Sequence, residues 1–177
     1  MEEILMQNYI GVKEIKAIHM TRAEYNDYRG WKVPEDENPN DEGFLVEYLD
    51  GGQSNHPDHA GYISWSPKDV FERAYRKIDG LTFGLAVEAM KKGCKVARKG
   101  WNGKGMFIVF MSGFKLPPFN TQGTERKVND RTAKWIGEDA TLDSQPYFAM
   151  FTASKQWQPG WLASQADMLA EDWEITP

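Results

Sequence analysis

Residues 98–110, Arg-Lys-Gly-Trp-Asn-Gly-Lys-Gly-Met-Phe-Ile-Val-Phe, force a reversal of the chain. Glycines at 100, 103 and 105 are followed by an apolar run, Met106–Met111, that is short and rich in aromatic and β-branched side chains. That pattern reads as a buried strand entered from a turn. Asn102-Gly103 is the expected turn dipeptide, because both residues tolerate positive φ. Cys94–Arg98 then becomes the partner strand, antiparallel to Met106–Met111. Trp101 sits at the mouth of this hairpin, with Arg98 and Lys99 before it and Lys104 across the turn. Two roles fit these side chains. Either Trp101 caps the core among solvated lysines, or its ring stacks on a nucleobase while the cations meet phosphates. The residues alone favour the first.

The segments around the hairpin complete a sheet. Thr82 is a plausible N-cap for a helix whose apolar positions are Phe83, Leu85, Ala86, Ala89 and Met90. Lys91 and Lys92 fall in its last turn, which suits the helix dipole, and Gly93 follows as a C′ residue. Tyr147–Thr152 reads as a strand. Trp157-Gln158-Pro159-Gly160-Trp161 holds a turn signal leading to a short strand that ends near Leu162. Ser164 and Asp167 form a near capping box for one helical turn. Asp172–Ile175 closes the sheet. Residues 112–145, with Pro117-Pro118, read as an extended loop containing a short helix within Glu125–Trp135. This stretch is either a flap or interface element, or a solvated surface insertion. Residues 80–177 are therefore predicted as an antiparallel sheet of four or five strands with one N-terminal helix. A single helix covers one face only, so the other face needs another subunit or a ligand.

Residues 1–79 form a second small unit, which makes the whole chain α+β. A strand is expected within 9–20, and Thr21 with Glu24 gives a capping box for a helix ending at Gly30. Acid-rich residues 33–43 form a loop, and 44–49 and 62–65 form strands. Ser66 as N-cap and Pro67 as first helical residue open a second helix, with Val70, Phe71, Ala74 and Tyr75 on its buried face. His56-Pro57-Asp58-His59 concentrates possible metal ligands. It lacks a helix to set their spacing, and Pro57 restricts the loop. A solvated loop without metal is the favoured reading.

Charge narrows the function. The net charge of −5 is uneven: residues 1–80 carry 9 basic and 16 acidic side chains, residues 81–177 carry 12 and 10. The first part repels nucleic acid and anions at long range, while the part holding Trp101 does not. A single-stranded nucleic-acid module around Trp101 is therefore the less favoured alternative. Cys94 is the sole cysteine, so no internal disulfide forms, which suits a reducing cytoplasm. It reads as a small packing residue at a helix end. No apolar run is as long as a membrane span, and the opening MEEILMQNYIGVKE lacks the apolar core of a signal peptide. No nucleophile elbow, P-loop, dinucleotide fingerprint or zinc pattern is present. The adjacent carboxylates Glu138-Asp139 and Glu171-Asp172 point to opposite sides of an extended chain. A binding protein without cofactor, rather than an enzyme, is expected.

Three ordered motifs carry a resemblance: the helix opening Thr82-Phe83-Gly84, the turn Arg98-Lys99-Gly100-Trp101-Asn102-Gly103-Lys104-Gly105, and the closing run from Trp161 to Trp173. LTFGLAVEAMKKGCKVARKGWNGKGMFIVF at 81–110 and WLASQADMLAEDWEI at 161–175 resemble the second Thoeris anti-defence family of phages and prophages. The resemblance implies a non-catalytic sponge for cyclic ADP-ribose isomers made by bacterial TIR enzymes, acting in the cytoplasm of the infected host. It also implies homo-oligomers, commonly tetramers, with the pocket between subunits, and in some members a separate site for cyclic dinucleotides. Carried over, Trp101 stacks on a base, Asn102 bonds base or ribose, and Arg98, Lys99 or Lys104 face phosphates. Trp161, Ser164, Gln165 and Asp167 are candidates for the opposite wall, Asp167 on ribose hydroxyls. An enzyme cleaving the same signal is the other alternative. Residues 1–80 lie outside this match. There YRGWKVPEDENPNDEGFLVEYLDGG and YISWSPKDVFERAY resemble segments of other phage proteins.

Overall fold

The computed structural model describes residue 7 and residues 9–177. The chain divides into two compact units, Met1–Arg76 and Lys77–Pro177.

In the first unit β1 (Ile15–His19), β2 (Gly43–Tyr48) and β3 (Tyr62–Pro67) form an antiparallel sheet with β2 central. β1 starts at Ile15 rather than near residue 9, because its partner β2 ends opposite Ile15 at Tyr48 and turns away through Gly51-Gly52. Helix α1 (Arg22–Tyr28) begins at the expected capping box: Glu24 N–H donates to Thr21 Oγ1, and Thr21 N–H donates to the Glu24 carboxylate. Its Tyr25 packs with Leu45 and Ile63 on one sheet face. Helix α2 (Lys68–Ala74) reaches the other face, where Phe71 stacks on Phe44 at 4.0 Å.

The start of α2 differs from expectation. Ser66 pairs with Phe44 and Pro67 with Gly43, so β3 continues through Pro67, and Ser66 makes no cap. A residue before proline is driven toward extended geometry, which keeps Ser66 in the strand. No residue of α2 is fully buried; Val70 and Ala74 are exposed, leaving Phe71 and Tyr75 as its half-buried contacts.

The His56–His59 loop is also more ordered than a solvated loop. His56 stacks on Tyr28 at 4.6 Å, and His59 Nε2 lies 2.9 Å from the Tyr28 hydroxyl. His59 Nδ1 lies 3.3 Å from the Glu47 carboxylate, whose other oxygen accepts from Ala60 and Gly61 N–H. The Gly61 N–H bond holds the Glu47 carboxyl below its usual range. Among the described residues no group of three or more His, Cys, Asp or Glu is placed to hold a metal.

The second unit opens with α3 (Phe83–Lys91), whose N-cap Thr82 accepts from Leu85 N–H. β4 (Lys95–Arg98) and β5 (Phe107–Met111) form the expected antiparallel pair. The 112–145 stretch is built rather than looped. It contains β6 (Phe114–Leu116), α4 (Asp130–Ile136) and β7 (Leu142–Ser144), and β6 pairs with β7 as a separate ribbon. Helix α4 is the short helix expected within Glu125–Trp135, and it starts at Asp130 because Asn129 caps it, accepting from Thr132 N–H at 2.8 Å. Val128 and Ala133 are buried, and Val128 N–H bonds to Pro117 O. β8 (Tyr147–Phe151) and β9 (Trp157–Pro159) follow, joined by a turn at 152–156. The Trp157–Pro159 segment is itself the strand, and its proline is tolerated because β9 is an edge. α5 (Gln165–Met168) and β10 (Trp173–Thr176) finish the chain.

The main sheet runs β10-β4-β5-β8-β9, all antiparallel. Register places Val96, Ile108 and Met150 side by side, and α3 covers that row with Ala86, Ala89 and Met90. The opposite face carries a second apolar row. Phe107 pairs with Phe151 and Phe151 with Trp157, and the two Phe rings stack at 5.1 Å. Trp157 is 46% exposed. Among the described residues no helix is long and apolar enough to cross a membrane.

Candidate functional site

The connection from β4 to β5 is shaped by glycine, though not as its dipeptide suggests. Positive φ falls on Gly105 (73°), not on Asn102 or Gly103. Gly103 is instead a close-approach position, since a Cβ there would lie 2.2 Å from Met106 Sδ and 2.8 Å from Ala153 Cβ. Trp101 N–H bonds back to Arg98 O, which folds the indole toward the end of the sheet.

Trp101 enters an aromatic nest. Its ring lies edge-on to Trp173 at 5.4 Å and to Trp161 at 6.3 Å. Phe83, from the first turn of α3, reaches Trp173 at 5.5 Å and Trp161 at 6.4 Å. Edge-to-face geometry suits the ring quadrupoles and fixes each plane relative to its neighbours. Trp173 is fully buried, whereas Trp101 and Trp161 keep part of their surface open.

A charged hub fastens this nest. Arg98 Nε donates to Asp172 Oδ1 at 2.8 Å, and its Nη1 donates to Asp167 Oδ1 at 3.0 Å and to Ala166 O at 3.2 Å. Asp172 also accepts from Gly100 N–H at 2.8 Å, so one carboxylate holds both the Arg98 side chain and the backbone where the chain leaves β4. Asp167 accepts from Trp101 Nε1 at 3.2 Å and from the Ser164 hydroxyl at 2.6 Å, while its backbone oxygen accepts from Trp173 Nε1. Burial alone would raise the Asp167 carboxyl, but hydrogen bonds from Ser164, Arg98 and Trp101 outweigh it and hold it at about 2, against 3.8 ordinarily. Arg98 likewise holds Asp172 below its usual range, and the two carboxylates hold Arg98 above its own.

The sequence-predicted residues thus separate into two sets. Arg98, Trp101, Trp161, Ser164 and Asp167 come together, and Ser164 and Asp167 also form the capping box of α5. Arg98 is met by two carboxylates and a carbonyl. Lys99, Asn102, Lys104 and Gln165 are exposed. Lys99 reaches Asp79 at 3.7 Å across a mostly exposed pair, and Lys104 has no ion pair among the described residues. Asp172 and Phe83 were not foreseen as part of this cluster. The signal for Asp172 was its place one residue before Trp173, which pairs with Arg98 in the sheet. Two cavities, of about 570 and 350 Å³, open on the Met1–Arg76 unit, and neither is lined by the 98–104 turn.

Comparison with known proteins bears on this same region. A family model described as the Thoeris anti-defense 2-like domain matches residues 81–176. A protein named Thoeris anti-defense 2, from Bacillus phage SP01, is 34% identical over 95 residues, spanning 54% of this chain and 93% of the relative. The matched span contains α3, the Trp101 turn, the aromatic nest and the whole Arg98 hub, and with it the chain belongs to the Thoeris anti-defense 2-like family of anti-defence proteins.

Proposed function

We propose that this chain is a sponge. It binds cyclic ADP-ribose-type signals made by TIR enzymes and withholds them from the defence effector without chemical change. The observation that carries this reading is the coincidence of the family span with a half-open indole nest flanked by exposed cations. In this reading Trp101 offers the exposed part of its ring to a base, and Asn102 bonds base or ribose. Lys99 and Lys104 face the phosphates. Arg98 is already neutralised, so its part is to hold Trp101 and α5 in place. Trp161 and Gln165 stand on the second wall.

A sponge acts stoichiometrically, so its Kd must lie below the signal concentration; a nanomolar value corresponds to about −12 kcal/mol. Stacking supplies about 1–3 kcal/mol per base, and phosphate contacts with desolvated apolar surface must provide the remainder. A cyclic ligand loses little conformational entropy on binding, which lowers that demand.

The pocket is completed by a second copy in this reading. The Phe107–Phe151–Trp157 row is an apolar sheet face opposite the only long helix of the unit, and its burial drives a homo-oligomer, a tetramer by analogy with the family. Trp157→Glu is expected to dissociate that assembly, seen as a fall in sedimentation mass. An unchanged mass places the interface elsewhere.

Calorimetric titration with the purified cyclic product of a TIR enzyme tests the site. Trp101→Ala is expected to weaken binding roughly 10- to 100-fold, the value of one stacked base. Lys104→Ala, an exposed change that leaves the nest intact, is expected to weaken it several-fold and to flatten its salt dependence. Equal affinity in wild type and both variants would move the ligand away from this turn.

A further inference from the structure

The Met1–Arg76 unit carries a groove with no part in the proposal above. Two adjoining cavities, about 570 and 350 Å³, share Asp41, Trp65 and Pro67, so they form one continuous depression. Its floor is apolar. Trp65 is pinned by a bond from Nε1 to Met20 O, and its ring lies against the backbone at Gly43, where a Cβ would come within 2.4 Å of it.

One end of the groove is already occupied by a side chain of the protein itself. The Arg22 guanidinium lies 4.9 Å over the Trp65 ring and pairs through two nitrogens with Glu37. Planar cation, aromatic face and bidentate carboxylate are together the arrangement that selects guanidinium over a point charge. The larger end differs: the Trp65 ring is already met by Arg22 and by the Gly43 backbone, and what this end offers is carboxylates and Pro67 beside that ring. Asp69 and Glu72 line it from α2, and Asp41, whose carboxylate accepts from Asn38 Nδ2 at 2.9 Å, from the loop before β2. The cation in this part, Lys68, is bound to Glu42. Among the described residues Asp69 meets Arg73 alone, in a pair exposed at 75% on both sides, which competes weakly with a new partner. The Glu72 carboxylate has no ion pair among the described residues, though its charge reaches Lys68. The acidic excess of residues 1–80 draws cations toward this unit at long range.

We infer that this groove is a docking site for a basic peptide segment that seats an arginine beside Trp65, with its guanidinium among Asp41, Asp69 and Glu72 and its stem on Pro67. The partner is a protein with an exposed arginine-bearing stretch. Free polyamines offer charge but no planar fork, and they bind less well.

The test uses the full chain and a fluorescein-labelled Gly-Arg-Gly-Arg-Gly peptide, followed by anisotropy, with the Lys counterpart and spermidine as competitors. The arginine peptide is expected to bind, and Asp41→Asn with Glu72→Gln to weaken it about tenfold, as expected for a lost charge-assisted hydrogen bond. Both substitutions lie on exposed side chains, so folding is retained. Trp65→Phe, which keeps an aromatic floor, is expected to weaken it less than the double change. Absence of binding at millimolar peptide, unchanged binding in the double variant, or displacement by spermidine as effective as by unlabelled arginine peptide would each overturn the assignment. Capture of the cyclic signal by the Lys77–Pro177 unit is measured on the same variants and is expected to be unaffected, which separates failure here from failure of the sponge reading.

Discussion

Trp173→Ala is expected to lower the stability of the Lys77–Pro177 unit by about 3–5 kcal/mol, the range for deleting a fully buried large aromatic. Trp173 has no solvent exposure and contacts Trp101, Trp161 and Phe83. It also holds the last strand in place, since Leu81 and Trp173 exchange backbone hydrogen bonds of 2.7 and 3.2 Å. Removing the ring leaves a cavity between α3 and the sheet and strips Asp167 O of the indole donor. Trp173→Phe keeps most of the apolar volume and loses that donor, so its cost is about 1–2 kcal/mol. Urea unfolding followed by circular dichroism resolves the two variants. Equal destabilisation by Ala and Phe would mean that the hydrogen bond, not the packing, carries the effect.

Asp167→Asn is expected to cost about 2 kcal/mol at neutral pH and almost nothing below about pH 2. The sign follows from linkage. The folded carboxyl titrates at about 2 and its ordinary value is 3.8. A depressed carboxyl contributes stability that is present above the unfolded value and lost as pH falls through the folded one. The wild-type advantage therefore declines between about pH 4 and about pH 2. Asp172, depressed by the same arginine, adds an acid sensitivity of the same sign that both proteins share. The residue is well placed for such an effect, with 14% of its side chain exposed and Arg98, Ser164 and Trp101 all bonded to it. Urea midpoints at several pH values measure the gap directly. A gap that stays constant down to pH 2 would show that the charge on Asp167 does not carry its contribution.

These expectations rest on features that differ in how far they could be read from the sequence. Thr21–Glu24, Thr82 and Ser164–Asp167 were legible because a cap is made within four residues of chain. The β4–β5 pair was legible because a glycine-rich turn followed by an apolar run leaves few other options. The Arg98–Asp172 contact was not, because its partners lie 74 positions apart and only the β10–β4 register brings them together. Local signals also lost to tertiary pairing. Ser66-Pro67 has the form of a helix start, yet pairing with Phe44 and Gly43 keeps both residues in β3. In the 112–145 stretch β6 and β7 have three residues each, too few for a period to emerge, and only their mutual pairing defines them. The same pattern holds at the candidate site. Residue types marked Trp101 and Asp167 as notable, but they could not say that the two bond each other, or that Arg98 spends its charge on carboxylates.

The measurement that tests the sponge reading most directly follows the fate of the signal. The cyclic product of an activated TIR enzyme is mixed with excess protein and filtered, and the filtrate is assayed for effector activation. The protein is then heat-denatured and the assay repeated. Sequestration predicts an inactive filtrate before denaturation and full recovery of intact signal afterward, with capture weakened in Trp101→Ala. Signal that disappears and does not return would mean it is consumed chemically, and signal that stays in the filtrate throughout would mean this protein does not bind it; either result contradicts the sponge.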